Sequence, residues 1–241
     1  MALMTTDRDS RPTLGHLVEG FRRMAPLSLF VIVFGLAFGV AALQQGLSAV
    51  QTLLMSGLVF AGAAQFATLE LWGDTIPLLP LVAITLAINA RHLLMGAAFY
   101  PHLRDLPSGR RYASLLLLSD ANWAMAMTGG TTASRLGILV GGGLALWSTW
   151  MIGTGLGVAF GSGISEPERF GLDAIMGCFL LAMLVGDKRD LSVLLPWGAA
   201  ALAALAAMAW LPPHAHVIVG ALAGGVVGLL LPPKPRQEGH S

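Results

Sequence analysis

Charge is what this 241-residue sequence has least of: only 11% of its residues are Asp, Glu, Lys or Arg, against about 25% in soluble domains. The formal net charge is +1, and no basic patch with interleaved aromatics is present, so nothing points to nucleic acid. Cysteine is nearly absent. Cys178 alone permits no disulfide within the chain and no thiolate metal site. His214 and His216 flank no further ligands, so the sequence implies no metal and no cofactor. Enzyme signatures are also missing. There is no His-Glu-x-x-His and no Gly-x-Ser-x-Gly, and Leu184-Val-Gly-Asp187 lacks the first glycine of the intramembrane aspartyl-protease pattern. The chain does not read as an enzyme. Met1 to Gly20 holds no apolar core, so it is not a cleavable signal peptide.

What is there is apolar. Hydrophobic residues make up 55% of the chain, and mean hydropathy is +0.72. Several runs approach or exceed the ~18 residues that mark a membrane helix. The runs are rich in Ala, Leu and Gly rather than alternating, which predicts an all-α helical bundle and not a barrel. We expect seven or eight membrane helices in one domain over residues 26–231, between tails at 1–25 and 232–241. Leu14, Leu17, Val18 and Phe21 predict an amphipathic end to the N-terminal tail, and Pro26 is read as opening segment 1 (26–43). Segment 2 (50–72) contains the small run Ala61-Gly-Ala-Ala64, suited to a break or a re-entrant turn. Segments 3 (77–100) and 4 (112–130) follow, separated by a loop with Arg104, Arg110 and Arg111. Segment 5 (136–160) carries Gly137/Gly141 and Gly153/Gly157, a small-residue spacing that lets membrane helices approach closely. Segments 6 to 8 span 170–186, 191–211 and 214–231.

With eight spans and the N-terminus inside, nine Lys and Arg fall inside and four outside, with Arg91 left in the membrane. That bias supports N-in, although Arg104, Arg110 and Arg111 then lie outside against the rule. With a re-entrant segment 2 there are seven spans and those three move inside. An echo between Phe34–Val40 and Gly155–Gly161 leaves an internal repeat open.

Polar residues inside apolar runs are the functional candidates, because one charge near the centre of a membrane helix costs about 2.5–3.5 kcal/mol. Segment 3 holds Asn89-Ala-Arg91-His92. Thr85, Asn89, His92 and Gly96 share one helix face, able to line a cavity or to bond a neighbouring helix. Arg91 points off that face, either to snorkel or to bind a carboxylate bidentately. Asp120, expected mid-way along segment 4, needs a cation, with Arg91 or His92 as partners. The pair serves either as a structural lock or in proton and ammonium handling. Asn122, Trp123 and Gln65 complete the set, each with a packing alternative.

The order Phe60-Ala-Gly-Ala-Ala-Gln65-Phe66, Asn89-Ala-Arg91-His92-Leu-Leu-Met-Gly96, Pro101 and Leu118-Ser-Asp120 resembles the AzlC family, the large subunit of bacterial branched-chain amino acid exporters. The resemblance implies a plasma-membrane permease for leucine, isoleucine, valine and methionine. It also implies a small AzlD-type membrane subunit as partner. Gln65, Asn89, Arg91, His92 and Asp120 carry over as site residues. One departure stands out: Ala121 takes the place where a second acid is expected, which puts proton coupling in question. A structural subunit, or a carrier of another small organic solute, is the alternative.

Overall fold

A computed structural model describes residues 12–73, 75–161, 194–211 and 215–231. Segment 6, with Asp173, Cys178 and Asp187, lies outside the described residues, as do Asp74, Pro212 to His214 and both terminal tails (1–11 and 232–241). The described chain is helical throughout: α1 Leu14–Gln44, α2 Ala49–Leu58, α3 Gly62–Leu69, α4 Leu78–Leu103, α5 Ser108–Leu116, α6 Asp120–Met127, α7 Thr132–Phe160, α8 Leu194–Trp210 and α9 Ala215–Leu230. Three of these, α1, α4 and α7, are long and apolar enough to cross a bilayer, and α2, α8 and much of α9 are shorter apolar helices. The fold is that of a membrane helical bundle. The chain forms two units, residues 1–76 with 88–180, and residues 77–87 with 181–241.

The first unit is built on α1 and α7. Thr13 starts α1, its side chain accepting from the His16 N–H at 3.4 Å. The helix then runs through Pro26 without stopping. This corrects the expectation that Pro26 opens the first membrane segment after a separate amphipathic helix. Residues 14–23 stay helical because α7 receives them: His16 packs on Gly137, and Leu17 on Gly141. Further along, Ile32 meets Gly153, Leu36 meets Gly157 and Val40 meets Gly161. Partner numbers rise together, so the two helices run parallel. The glycines have α1 backbone where a Cβ would stand, which places the two backbones closer than side chains permit.

Segment 2 is broken, as its small residues suggested. Val59 (φ −116°, ψ 82°) and Ala61 (φ −147°, ψ 70°) leave helical geometry between α2 and α3. The end of α2 is tied to α7 by Ser56 and Thr154 hydroxyls at 2.9 Å and by Trp147 Nε1 donating to the Gly57 carbonyl at 3.2 Å. From there α3 packs back along α1, where Phe66 stacks on Phe34 with centroids 5.0 Å apart and meets Phe38 edge-on at 5.5 Å.

Segment 4 departs from expectation. It is not one helix with Asp120 mid-way, but two short helices broken at Leu117 to Ser119, with Asp120 opening the second. One local and one tertiary bond hold the break: Asn122 Nδ2 donates to the Leu117 carbonyl at 2.6 Å and to the Leu139 carbonyl of α7 at 2.9 Å. The start of α5 is fastened near the end of α4 by Arg111, which donates to the carbonyls of Arg104 (2.8 Å) and Leu106 (3.2 Å). That same end of α4 meets the start of α7, where His102 lies 3.3 Å from the Thr132 hydroxyl and 3.4 Å from Arg135. α5 and α6 therefore form a hairpin that leaves this end of α7, reaches Gly143 and returns to it. Arg104, Arg110 and Arg111 thus stand at the end of the unit where α1 begins.

In the second unit α8 and α9 form an antiparallel pair. Gly220 abuts Ala200 and Ala204, and Gly224 abuts Pro196 and Ala200. His216 begins α9.

The parallel contact is directly testable. Gly153→Leu must push a side chain into the Ile32 carbonyl, whereas Gly155 has nothing within 4 Å of its Cβ position. Overpacking of this kind costs about 1–3 kcal/mol or more. In a thermal melt of the detergent-solubilised chain, Gly153→Leu is expected to lower the midpoint clearly and Gly155→Leu to leave it unchanged.

Candidate functional site

The hairpin tips approach one stretch of α7 from its two ends. The α5–α6 tip reaches Gly143, and the α2–α3 tip reaches Trp147 and Trp150. At helical rise these marks are separated by roughly 10 Å along α7. The first turns of α3 and α6 thus open towards the same part of the interior, and Ala121 of α6 packs against the core cluster that holds Phe34, Phe38, Trp150 and Leu69.

Asp120 is the first residue of α6, an acid at the positive end of a helix, where it is favoured electrostatically. Its Oδ2 lies 3.0 Å from Arg91 Nη1. Arg91 is therefore paired. It lies one turn before Met95 on the stripe that continues through Phe99 and Leu103, all buried, so it points into the bundle. Its side chain is 39% exposed and that of Asp120 26%, which leaves the pair reachable by water or solute. Arg91 Nε is a buried atom without a partner. His92, half-buried, is next to Arg91 on the helix. Asn89 places Oδ1 in the interior with no partner. The Gly96 face of α4 turns to α5, where a Cβ would stand 3.9 Å from Leu115 Cδ2.

Asn122 is fully buried, and the protein uses all four of its hydrogen-bonding positions. Oδ1 accepts from the Ser119 N–H at 2.7 Å and from the Ser119 hydroxyl at 3.1 Å, and Nδ2 makes the two bonds already described. It pins the tip of the hairpin. Trp123 packs against the cluster of Met95, Phe99 and Leu136, and its Nε1 is buried without a partner.

Gln65 lies apart from these, in α3. It is 0% exposed, and neither Nε2 nor Oε1 has a partner. Sequence reasoning missed its neighbours. Trp150 of α7, 3% exposed, stands over the start of α3, and a Cβ on Gly62 would meet Trp150 at 3.1 Å and Phe34 at 3.2 Å. Phe34, Phe38 and Phe66 complete an aromatic cluster around it. The available signal was Phe60 and Phe66 on either side of the small run Ala61–Ala64.

Among the described residues no group of three His, Cys, Asp or Glu is placed to hold a metal. The arrangement offers an ion pair, unpaired amides and two helix starts inside an apolar bundle. Such groups suit binding a small polar solute rather than making or breaking its bonds.

Comparison with known proteins agrees on the family. The AzlC protein family matches residues 26–164. The chain belongs to the AzlC family. An uncharacterised membrane protein of Archaeoglobus fulgidus is 31% identical over 74% of this chain and 80% of its own length. The inner membrane protein YgaZ of Escherichia coli is 26% identical over 91% of this chain and 92% of its own. The branched-chain amino acid transport protein AzlC of Bacillus subtilis is 23% identical over 69% of this chain and 66% of its own. No solved structure matches. This AzlC-family chain is a multi-pass membrane transporter, homologous to the B. subtilis and E. coli proteins.

The ion pair makes a specific prediction. Removing one member of this partly buried pair leaves the other charge inside the bundle without its partner, while removing both does not. Arg91→Leu alone is expected to lower the thermal midpoint more than Arg91→Leu with Asp120→Leu. Asn122→Ala leaves hydrogen-bonding groups of the hairpin tip unpaired and is expected to cost about 2–3 kcal/mol, read in the same melts.

Proposed function

We propose that this chain exports branched-chain amino acids, leucine, isoleucine and valine with methionine, across the bacterial plasma membrane as the large subunit of a two-component permease. The observation that carries the reading is the placing of polar groups at two helix starts within an apolar bundle, Asp120 paired with Arg91 at the start of α6 and Gln65 in the first turn of α3. An amino acid needs a place for each of its two charges and an apolar wall for its side chain. The aromatic cluster beside α3 suits such a wall, and His92 next to the ion pair suits a group that changes protonation as the site alternates. The family membership and the name of the B. subtilis relative support the same reading. A small AzlD-type membrane subunit completes the permease in this proposal.

In the same proposal both broken segments are re-entrant, entering from opposite sides, while α1, α4 and α7 span. Irregular backbone at membrane depth is tolerated where protein buries it. Counted over residues 12–161, the arginines other than Arg91 are Arg22, Arg23, Arg104, Arg110, Arg111 and Arg135. All six then lie towards one side, which the positive-inside rule makes cytoplasmic. The internal repeat suggested by the sequence would relate the two hairpins, with α1 and α7 as the parallel struts behind them.

Two experiments test this. In cells lacking their own exporters and loaded with dipeptides, the chain with its small subunit is expected to speed loss of leucine, valine and methionine but not lysine. Asp120→Asn at equal expression is expected to abolish the gain. Unchanged efflux of every amino acid would remove the substrate assignment. For topology, single cysteines replacing Ser108 and Ser48 in a Cys178→Ser background are expected to label from the cytoplasm and from outside, respectively. External labelling at Ser108 would restore the eight-span arrangement.

A further inference from the structure

We propose that the start of α3 is the subsite for the solute's carboxylate, with Gln65 as its side-chain ligand and Trp150 at its edge. This rests on the transporter reading above and adds which protein group takes the solute's carboxylate.

The two helix starts facing the interior are not equivalent. That of α6 is closed: Ser119 and Asn122 bond one another across it, and Asp120 adds a negative charge. That of α3 is open. Ala61 provides no side-chain cap, and among the described residues the N–H groups of Gly62, Ala63 and Ala64 have no acceptor. A helix start with free N–H groups carries partial positive charge and binds anions. A second, independent observation points to a ligand there. Gln65, fully buried, has both amide atoms without partners, and side chains on a helix lean towards its N-terminus, which directs this amide to the same turn. Trp150 covers Gly62 with Cη2 and Cζ3, the edge of its ring away from Nε1. Buried polar groups are rarely left unpaired, and here the Gln65 amide, with its unpaired Nε2 donor, stands in the first turn of an uncapped helix whose own N–H groups are donors too. An anion with more than one acceptor oxygen satisfies them together.

Arg91 is the side chain that composition alone would nominate for a carboxylate, but Asp120 already engages it. The α3 start, not Arg91, holds the carboxylate, with the apolar side chain against Phe34 and Phe66. Small residues at Ala61, Gly62, Ala63 and Ala64 let the solute oxygens come up to the backbone.

The test is equilibrium binding of tritiated leucine to the purified full-length chain, with competition by leucinamide, which lacks the carboxylate, and by 4-methylpentanoate, which keeps it and lacks the amine. Leucinamide is expected to compete about ten- to a hundredfold more weakly than leucine, the effect of losing charge-assisted hydrogen bonds, while 4-methylpentanoate still competes. Ala61→Asp supplies an internal carboxylate to the same N–H groups. It is expected to weaken leucine binding by a similar factor without lowering the thermal midpoint, and Gln65→Leu is expected to weaken it as well. Leucinamide competing as well as leucine, or Ala61→Asp binding leucine like the native chain, overturns this subsite and leaves the transporter reading in place. The leucinamide comparison needs no substitution, so misfolding cannot imitate it. A native chain that neither binds leucine nor moves it in the efflux assay overturns both.

Discussion

The parallel contact between α1 and α7 is the constraint on which the rest of the first unit depends. In lipid the hydrophobic effect does not drive helices together, so association comes from close packing and interhelical hydrogen bonds. Gly137, Gly141, Gly153 and Gly157 remove the side chains that would hold the backbones apart. Close approach is then kept over the whole length of both helices, from His16 to Val40. Two long helices locked in one register give fixed ground for short elements that could not stand alone. Both hairpins use it, since α2 is bonded to α7 through Ser56 and Gly57 and α6 through Asn122.

Short helices in a membrane expose helix ends that a spanning helix would leave at the surface. Those ends must find partners or carry unpaired donors and acceptors. The two hairpins resolve this differently. At α6 the side chains of Ser119 and Asn122 meet the demand, and an acid at the helix start is matched to a basic partner on α4. At α3 nothing local meets it, and the Gln65 side chain adds a donor of its own. The same backbone device thus yields one finished structural joint and one unfinished polar site.

Much of this was legible in the sequence. The glycine spacing of segment 5 announced a close helix contact, the run Ala61–Ala64 announced a break, and an acid within an apolar run required a cation that Arg91 supplies. The second break was not legible. Leu115 to Leu118 reads as uninterrupted helix, and the break exists because Asn122 reaches the Leu139 carbonyl on another element, a contact that local patterning does not contain. Arg91 was placed off the functional face for a related reason. Helical spacing from Asn89 and His92 defines a face but not which way it turns, and the buried stripe through Met95 and Phe99 settled that. Trp150 went unremarked because its partners lie on α1 and α3, far away in sequence.

The parallel arrangement also sets an order of assembly. α1 is made first, yet the surface it needs is on α7, and everything between must be synthesised before the two meet. Until Thr132 onward is in the membrane, α1 shows lipid an apolar face with its small residues unmatched, and α5–α6 has no support for its tip. Neither hairpin is long enough to be held by the bilayer alone. The chain therefore waits, inserted but unpacked, for its fifth hydrophobic segment. A nascent chain stopped short of α7 contains Gln65, Arg91 and Asp120 but only one of the two helices that bring them together.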